Sequence, residues 1–389
     1  MRRVRLVART RDSHSRNTGP IPVLGTKIKN EIMEATLLLK NYKKRLDAFL
    51  KEYFREKIKE AGASGPLAKE AVKMIADFTT ASGKRIRPAF IYYSYLAMGG
   101  KDSDEIVRAS ASMELTHSFL LIHDDIIDKD EKRHGIATIH EKYKKIGKKL
   151  AKGKEADHFG NSMAMLSGDM AAAMANQLIF TSDFPPEIII QALVKLQEIV
   201  YTIVPGEMLD VVLEFRGHAT EKEILKMHEG KTSSYSFEGP LHLGAVLAGV
   251  RDENIFRNFS RYAMPLGKAF QIRDDILGVF GDEKKLGKPV GSDVIEGKQT
   301  LLAIKALERG SREQKNAVKK YLGKGDLKKS ELWEFRKIVE ETGSLEYSQK
   351  LAEKFVSQSL EALSEINFKN EEAKIFFEGI ARYMAERNV

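Results

Sequence analysis

The sequence predicts an all-α protein folded as a single domain, and three observations predict it. Apolar residues recur at three- and four-residue spacing from about Ile28 to the C-terminus. Convincing period-two alternation is absent, and most connectors are short and carry Gly, Pro or Asp. No linker separates two domains, no repeat of fixed period is present, and 389 residues suffice for one large domain.

Taken in order, residues 1–27 come first and lack the helical pattern. MRRVRLVARTRDSHSRNTGP is rich in Arg and Ser and holds one acid. It reads as a disordered basic tail, or as sequence upstream of a start nearer Met33. Its Arg-rich, acid-poor composition also suits an organelle-targeting peptide. Residues 28–389 form the folded domain. Its first helix, NEIMEATLLLKNYKKRLDAFLKEYFREKIKE, ends at the stop signal AGASG. Further helical patterns cover 67–81, 87–98, 102–129, 158–180, 186–215, 220–229, 233–250, 253–281, 299–308, 312–323 and 328–387, the last broken at Gly343. The exception is HEKYKKIGKKLAKGKEADHFG (140–160), whose lysines meet no acid between Glu141 and Glu155. It reads as a solvated loop or surface helix with His140 and His158 at the surface; contact with a membrane or nucleic acid is the alternative.

Composition narrows the function classes. Hydrophobic residues at 42% and charged residues at 31% are ordinary for a globular protein. No apolar run reaches the roughly 18 residues of a membrane span. Zero cysteines exclude disulfides and thiolate metal sites and suit a reducing, cytoplasmic setting. A net charge of +9 fits an anionic partner: nucleic acid, a membrane surface or a phosphorylated small molecule. Charge alone does not choose among them.

Two acidic clusters carry the chemistry. In LLIHDDIIDKDEKRHG (120–135), Asp124 and Asp128 are four residues apart, so both carboxylates leave one helix face about 6 Å apart along the axis. Asp125 points about 100° away. Like charges at this spacing need a countercharge from solvent, bases or a metal, and a hard all-oxygen pair is what Mg²⁺ prefers. An acidic helix end alone is ordinarily just solvated. A second pair, Asp274 and Asp275 in AFQIRDDILGVFGDE (269–283), again follows an apolar run, with Gln271 three residues before Asp274. Two such helices facing each other across a cavity could clamp a polyanion between metal ions.

Basic residues come in matching short motifs. SGKRIRP (82–88) sets Lys84, Arg85 and Arg87 around a helix start; GKTSS (230–234) joins Lys231 to Thr232 and Ser233; GKPVGSDVIEGKQT (287–300) holds Lys288 and Lys298. Lys and Arg beside Gly-permitted backbone are phosphate-binding ingredients. GKTSS is no P-loop, because the first Gly of that motif would fall at Leu225.

Together these motifs resemble the trans-isoprenyl diphosphate synthases, the family of farnesyl and geranylgeranyl diphosphate synthases. Asp124-Asp125-Ile126-Ile127-Asp128, with Arg133 and Gly135 after it, resembles the first aspartate-rich motif; Phe270-Gln271-Ile272-Arg273-Asp274-Asp275 resembles the second. Gly83 to Pro88, His117, Lys231-Thr232 and Gly287-Lys288 fall in the family's order. The resemblance implies a helical bundle around a deep central cavity, a homodimer, and Mg²⁺ as cofactor, three ions with bound diphosphate. It implies that Asp124 and Asp128 bind two ions and Asp274 the third. Arg133, Lys231, Thr232, Gln271 and Lys288, with Lys298 nearby, would hold the allylic diphosphate. Lys84, Arg87 and His117 would hold isopentenyl diphosphate. Nucleic acid is then no partner, and peripheral membrane contact stays open.

The chain departs from the family pattern twice. Gly278 stands where the second motif often has a third Asp, which predicts weaker metal binding there. His134 replaces the second Arg after the first motif, so its contact with isopentenyl diphosphate should need protonation and fade above about pH 6.5. Chain length depends on the cavity floor. Phe119 and Leu120 lie five and four positions before Asp124, and by the resemblance one aromatic at the fifth position suggests a geranylgeranyl product. A farnesyl or longer polyprenyl synthase is the runner-up, and a non-catalytic regulatory homologue a further alternative. His123-Asp124 would also suit a metal phosphohydrolase, but that reading gives the second acidic pair no role.

Overall fold

The computed structural model describes residues 23–133, 135–150, 155–281 and 290–386. The tail before Val23, His134 and Lys288 therefore lie outside the described residues. The chain opens with α1 (Val23–Ala63), α2 (Pro66–Thr80), α3 (Ile86–Ala97) and α4 (Asp104–Ile127). A hairpin of two-residue strands, β1 (Lys132–Arg133) and β2 (Ile136–Ala137), leads to α5 (Ile139–Leu150), α6 (Ala156–Phe180) and α7 (Pro186–Arg216). Then come α8 (Glu221–His228), a π-helical segment (Glu229–Glu238), α9 (Gly239–Leu247) and α10 (Glu253–Phe280). The C-terminal part holds α11 (Ser292–Glu296), α12 (Leu301–Arg309), α13 (Arg312–Tyr321), α14 (Lys329–Glu341), α15 (Ser344–Leu363) and α16 (Glu371–Glu386).

Local chemistry sets the boundaries. Ser103 caps α4 by accepting the Ile106 N–H, and Asp104 and Glu105 in the first turn complement the helix dipole. Thr220 and Glu223 form a capping box at α8, and Gly217 in the left-handed region (φ 71°) ends α7. The hairpin pairs Arg133 with Ile136. Two-residue strands carry no readable period, so the sequence pattern missed it. The lysine-rich stretch is α5, a helix whose inner face buries His140, Tyr143 and Gly147. His140 is thus buried, at 7% exposure, rather than superficial, because the α5 register turns it toward α6. His158 is exposed as expected.

Two apolar cores meet along α10. Phe259, Tyr262 and Leu266 belong to the larger one, built with α1, α3, α4, α9 and α16. There Phe90 packs edge-on against Phe237, Phe376 and Phe377 at 5.2, 5.7 and 5.5 Å between ring centres. Each such buried ring contributes roughly 1.5–3 kcal/mol. Ile272, Ile276 and Val279 join the second core with Leu301, Ile304 and Phe335. This anchoring on both sides fixes the rotation of α10 and hence the direction of Asp274.

α4 is buried on nearly all sides, as expected of a central helix. α7 is different. By length and composition it is apolar enough to cross a membrane, although Lys195 and Glu198 keep it from reading as an unbroken apolar run in the sequence. Several of its apolar side chains, including Tyr201, Met208, Val212 and Phe215, are exposed.

Candidate active site

The site begins with α4 and α10, the two helices that carry the acidic pairs. Asp124 and Asp274 line one cavity of about 560 Å³. Arg87, His117, Phe119, Leu120, Lys231, Thr232 and Gln271 line it too. An adjoining hollow of about 150 Å³ is lined by Asp274, Asp275, Lys231, Gln271 and Lys298, together with Asp210, Asp293 and Gln299. The larger cavity is acidic and basic at one end and apolar along Phe119, Leu120, Ile203, Met208 and Phe270.

Asp128 caps α4, its N–H donating to the Asp124 carbonyl oxygen at 2.8 Å. Burial pushes the Asp124 carboxyl above its ordinary range, and although Lys231 and Arg133 oppose this, the Asp128 charge adds to it. Asp125 faces inward at 1% exposure and is pushed up to about 7 by burial, against the pull of Arg133. Arg133 sits 2.5 Å from Asp125 Oδ1 and 3.2 Å from Asp130 Oδ2, with Asp124 at 3.7 Å. Its guanidinium braces the acidic motif instead of lining the cavity, because the hairpin folds it back under α4.

Lys231 comes from the π-helical segment and meets α7. Its Nζ lies 2.7 Å from Glu207 Oε2, 2.7 Å from Asp210 Oδ2 and 4.0 Å from Asp124 Oδ1. Burial alone would lower the Lys231 pKa, but Asp210, Asp124 and Glu207 hold it well above the lysine range. Burial raises Asp210 as well, yet Lys231 outweighs it and leaves Asp210 below the ordinary carboxylate value. Glu207 is pushed up to about 7 by burial, Lys231 notwithstanding. Backbone geometry allows this approach: a Cβ on Gly206 would lie 2.4 Å from the Lys231 backbone N. Pro205, inside α7, removes one helical N–H at the same turn.

A polar chain crosses to α10. The Thr232 hydroxyl donates to Gln271 Oε1 (2.7 Å), and Gln271 Nε2 donates to Asp275 Oδ1 (2.9 Å). Lys298 reaches Asp128 at 3.4 Å and Glu296 at 2.8 Å, tying the turn after α11 to the first acidic motif. Nearby, Arg87 lies 3.1 Å from His117 Nε2 and over the Tyr235 ring at 4.8 Å, while the Tyr235 hydroxyl is 2.9 Å from His117 Nδ1. Lys84 is exposed beside the Tyr383 hydroxyl and does not line the cavity. Arg85 is a buried anchor instead: left-handed at φ 58°, it pairs with Glu114 and with Asp47 at 2.9 Å. His123 Nε2 donates to the Met165 carbonyl oxygen at 3.1 Å, a structural contact.

Sequence reading missed Glu207, Asp210, Tyr235 and Asp293. A signal existed for the first two: PGEMLD places a helix-breaking pair and two acids inside an otherwise apolar helix. Nothing local marks Tyr235, whose role comes from its neighbours.

The buried Asp125 Oδ2, Asp275 Oδ2 and Gln299 Oε1 have no hydrogen-bond partner. Among the described residues no group of three acids or histidines is arranged to hold a metal ion by itself. A cation would therefore take few protein oxygens and complete its shell with water and phosphate oxygens, the habit of Mg²⁺.

An all-helical bundle with acidic helices facing across an apolar-floored cavity defines an isoprenoid synthase-like protein. Residues 68–340 match the polyprenyl synthetase family model. The chain belongs to the polyprenyl synthetase family and is a trans-prenyltransferase. It is 37% identical to the geranylgeranyl diphosphate synthase of Sulfolobus acidocaldarius, over 75% of this chain and 83% of that one. It is 33% identical to that of Saccharolobus solfataricus, over 79% and 87%. The crystal structure of geranylgeranyl pyrophosphate synthase from Corynebacterium glutamicum, complexed with isoprenyl diphosphate and magnesium, superposes with a TM-score of 0.84 at 28% identity, covering 90% of this chain and 99% of that one.

Proposed function

We propose that this chain condenses isopentenyl diphosphate with an allylic diphosphate in a Mg²⁺-dependent reaction whose product is geranylgeranyl diphosphate. The observation that carries the reading is the shared cavity: Asp124 and Asp274, from separate helices, border it beside Lys231. Both carboxylates, with Asp128, would hold Mg²⁺, three ions with bound diphosphate. Bound Mg²⁺ supplies neutralisation of charge on the departing diphosphate. Lys231, Thr232, Gln271 and Lys298 would bind and orient the allylic diphosphate, and Arg87 and His117 the isopentenyl diphosphate, with Lys84, outside the cavity lining, reaching in to join them. His134 and Lys288, which lie outside the described residues, keep their proposed contacts. Arg133 would act by bracing Asp124 and Asp125. Loss of diphosphate leaves an allylic cation, which the isopentenyl double bond attacks before a proton departs to the diphosphate. The apolar wall excludes water from that cation, and fixed charges act strongly in such a setting.

Product length would follow from Phe119 and Leu120, which narrow the cavity. A homodimer is favoured by α7, whose exposed Val204, Met208 and Val212 also line the cavity, so a second copy would close that side. We place this activity in the cytoplasm. Purified protein supplied with Mg²⁺, labelled isopentenyl diphosphate and each allylic primer should yield twenty-carbon diphosphate, and EDTA should abolish it. Fifteen-carbon or much longer products would select the runner-up, and no turnover with any primer would remove the enzymatic reading.

A further inference from the structure

We infer that His228, the last residue of α8, is a positioning residue for the allylic diphosphate, acting through Asp275 on the Gln271–Thr232 pair. This rests on the reading above. His228 and Thr232 are four residues apart where α8 runs into the π-helical segment, and Gln271 and Asp275 are four apart on α10. Residues so spaced share a helix face, so the two segments meet as successive rungs. Thr232 closes one rung by donating to Gln271 at 2.7 Å, and His228 Nε2 faces Asp275 Oδ2 across the next at 3.5 Å. The hydrogen bond from Gln271 to Asp275, at 2.9 Å, joins the rungs along α10.

The two segments are pressed together beside these rungs. A Cβ on Gly267 would run into the Ser233 Cα, and Lys268 pairs with Glu229 at 2.7 Å. Against these closed contacts the His228 rung stands apart. His228 is fully buried and Asp275 is 7% exposed. Yet among the described residues neither ring nitrogen of His228 nor Asp275 Oδ2 has a hydrogen-bond partner. Buried polar atoms are rarely left so, and these orphans face each other a few tenths of an ångström beyond hydrogen-bond distance. With its Nε2–H turned to Asp275 Oδ2, the imidazole leaves Oδ1 to Gln271. That fixes the amide, its nitrogen toward Asp275 and its oxygen toward Thr232. Without the donor, the carboxylate is free to turn to Lys231 or Lys298, which line the same hollow, and to release Gln271.

The test is steady-state elongation by the intact chain with Mg²⁺ and labelled isopentenyl diphosphate. The primer is whichever of dimethylallyl, geranyl or farnesyl diphosphate the parent chain uses best. His228→Leu should raise the primer KM about tenfold, with kcat and the isopentenyl KM within about twofold of the parent. His228→Gln, whose amide nitrogen reaches the place of Nε2, should bring the primer KM back to within about threefold. On a Thr232→Val background, His228→Leu should add less than about twofold, because both residues act through one chain of contacts. An unchanged primer KM, an equal rise in both KM values, no rescue by Gln, or a full effect on the Thr232→Val background would overturn the inference. Should His228→Leu not fold, His228→Asn, whose shorter amide stops short of Asp275, takes its place with the same expectations. A parent chain that elongates no primer sinks the reading above and this inference with it. A parent that elongates while the His228 variants match it sinks this inference alone.

Discussion

The Lys231 ammonium rests 2.7 Å from the Asp210 carboxylate, so the cation of the π-helical segment is held by an acid of α7. Removing it costs twice. Lys231→Met should raise the KM for the allylic diphosphate by roughly 10- to 100-fold, the loss of one charge-assisted contact. It should also destabilise the fold by about 2 kcal/mol, less than a fully buried pair because both side chains retain some exposure. Steady-state kinetics and denaturant unfolding measure the two effects separately. Unchanged KM with normal stability would exclude Lys231 from substrate binding.

Gly206→Ala tests the backbone contact that makes this placement possible. Its Cβ would press on the Lys231 backbone N, a rigid neighbour. The two segments must then part, at a cost of roughly 1–3 kcal/mol. Thermal unfolding should show it, and the primer KM should rise because Lys231 moves with its backbone.

Arg85 illustrates what was legible in the sequence and what was not. The SGKRIRP motif is recognisable in the sequence, but three cations within four residues give no clue which one turns inward. Only the packing against Glu114 and Asp47 separates Arg85, an anchor, from Arg87, which lines the cavity. The helices were readable because apolar spacing reports burial directly, and both Asp pairs followed from residue spacing alone. Glu207 escaped notice because an acid in a long apolar helix looks solvated until Lys231 is brought to it from another segment. Arg85→Ala should lower stability by about 3–5 kcal/mol by stranding Glu114, and Arg85→Met with Glu114→Leu should recover over half of that in urea unfolding.

Phe119 stands on the cavity wall five residues before Asp124, its ring packed edge-on against His123 at 5.0 Å. Phe119→Ala should deepen the cavity and lengthen the product by one or more five-carbon units, read by chromatography of the dephosphorylated products. Because the ring is only partly buried, stability should fall by about 1–2 kcal/mol, short of a core Phe→Ala change. Leu120→Ala should lengthen the product as well if the floor is shared, and an unaltered product distribution in both variants would remove these residues as the floor.

His140 gives the fold a dependence on acid that is independent of the active site. Burial, against the pull of Glu141, holds its pKa below the ordinary histidine value near 6.5, while Lys144 nearby lowers it further. The folded state therefore binds fewer protons here than the unfolded chain. Stability from this group is complete above about pH 6.5 and is lost as pH falls through that value toward the lowered one. One such group changes stability by no more than about 1.4 kcal/mol per pH unit. His140→Gln keeps a polar side chain of similar length but cannot titrate, so its unfolding free energy should fall less steeply between pH 6.5 and 5. His242, lowered chiefly by burial, should leave a residual slope. A slope identical to that of the parent chain would mean that His140 accepts its proton in the folded state as readily as in the unfolded one, and that the α5–α6 contact does not exclude water from its ring.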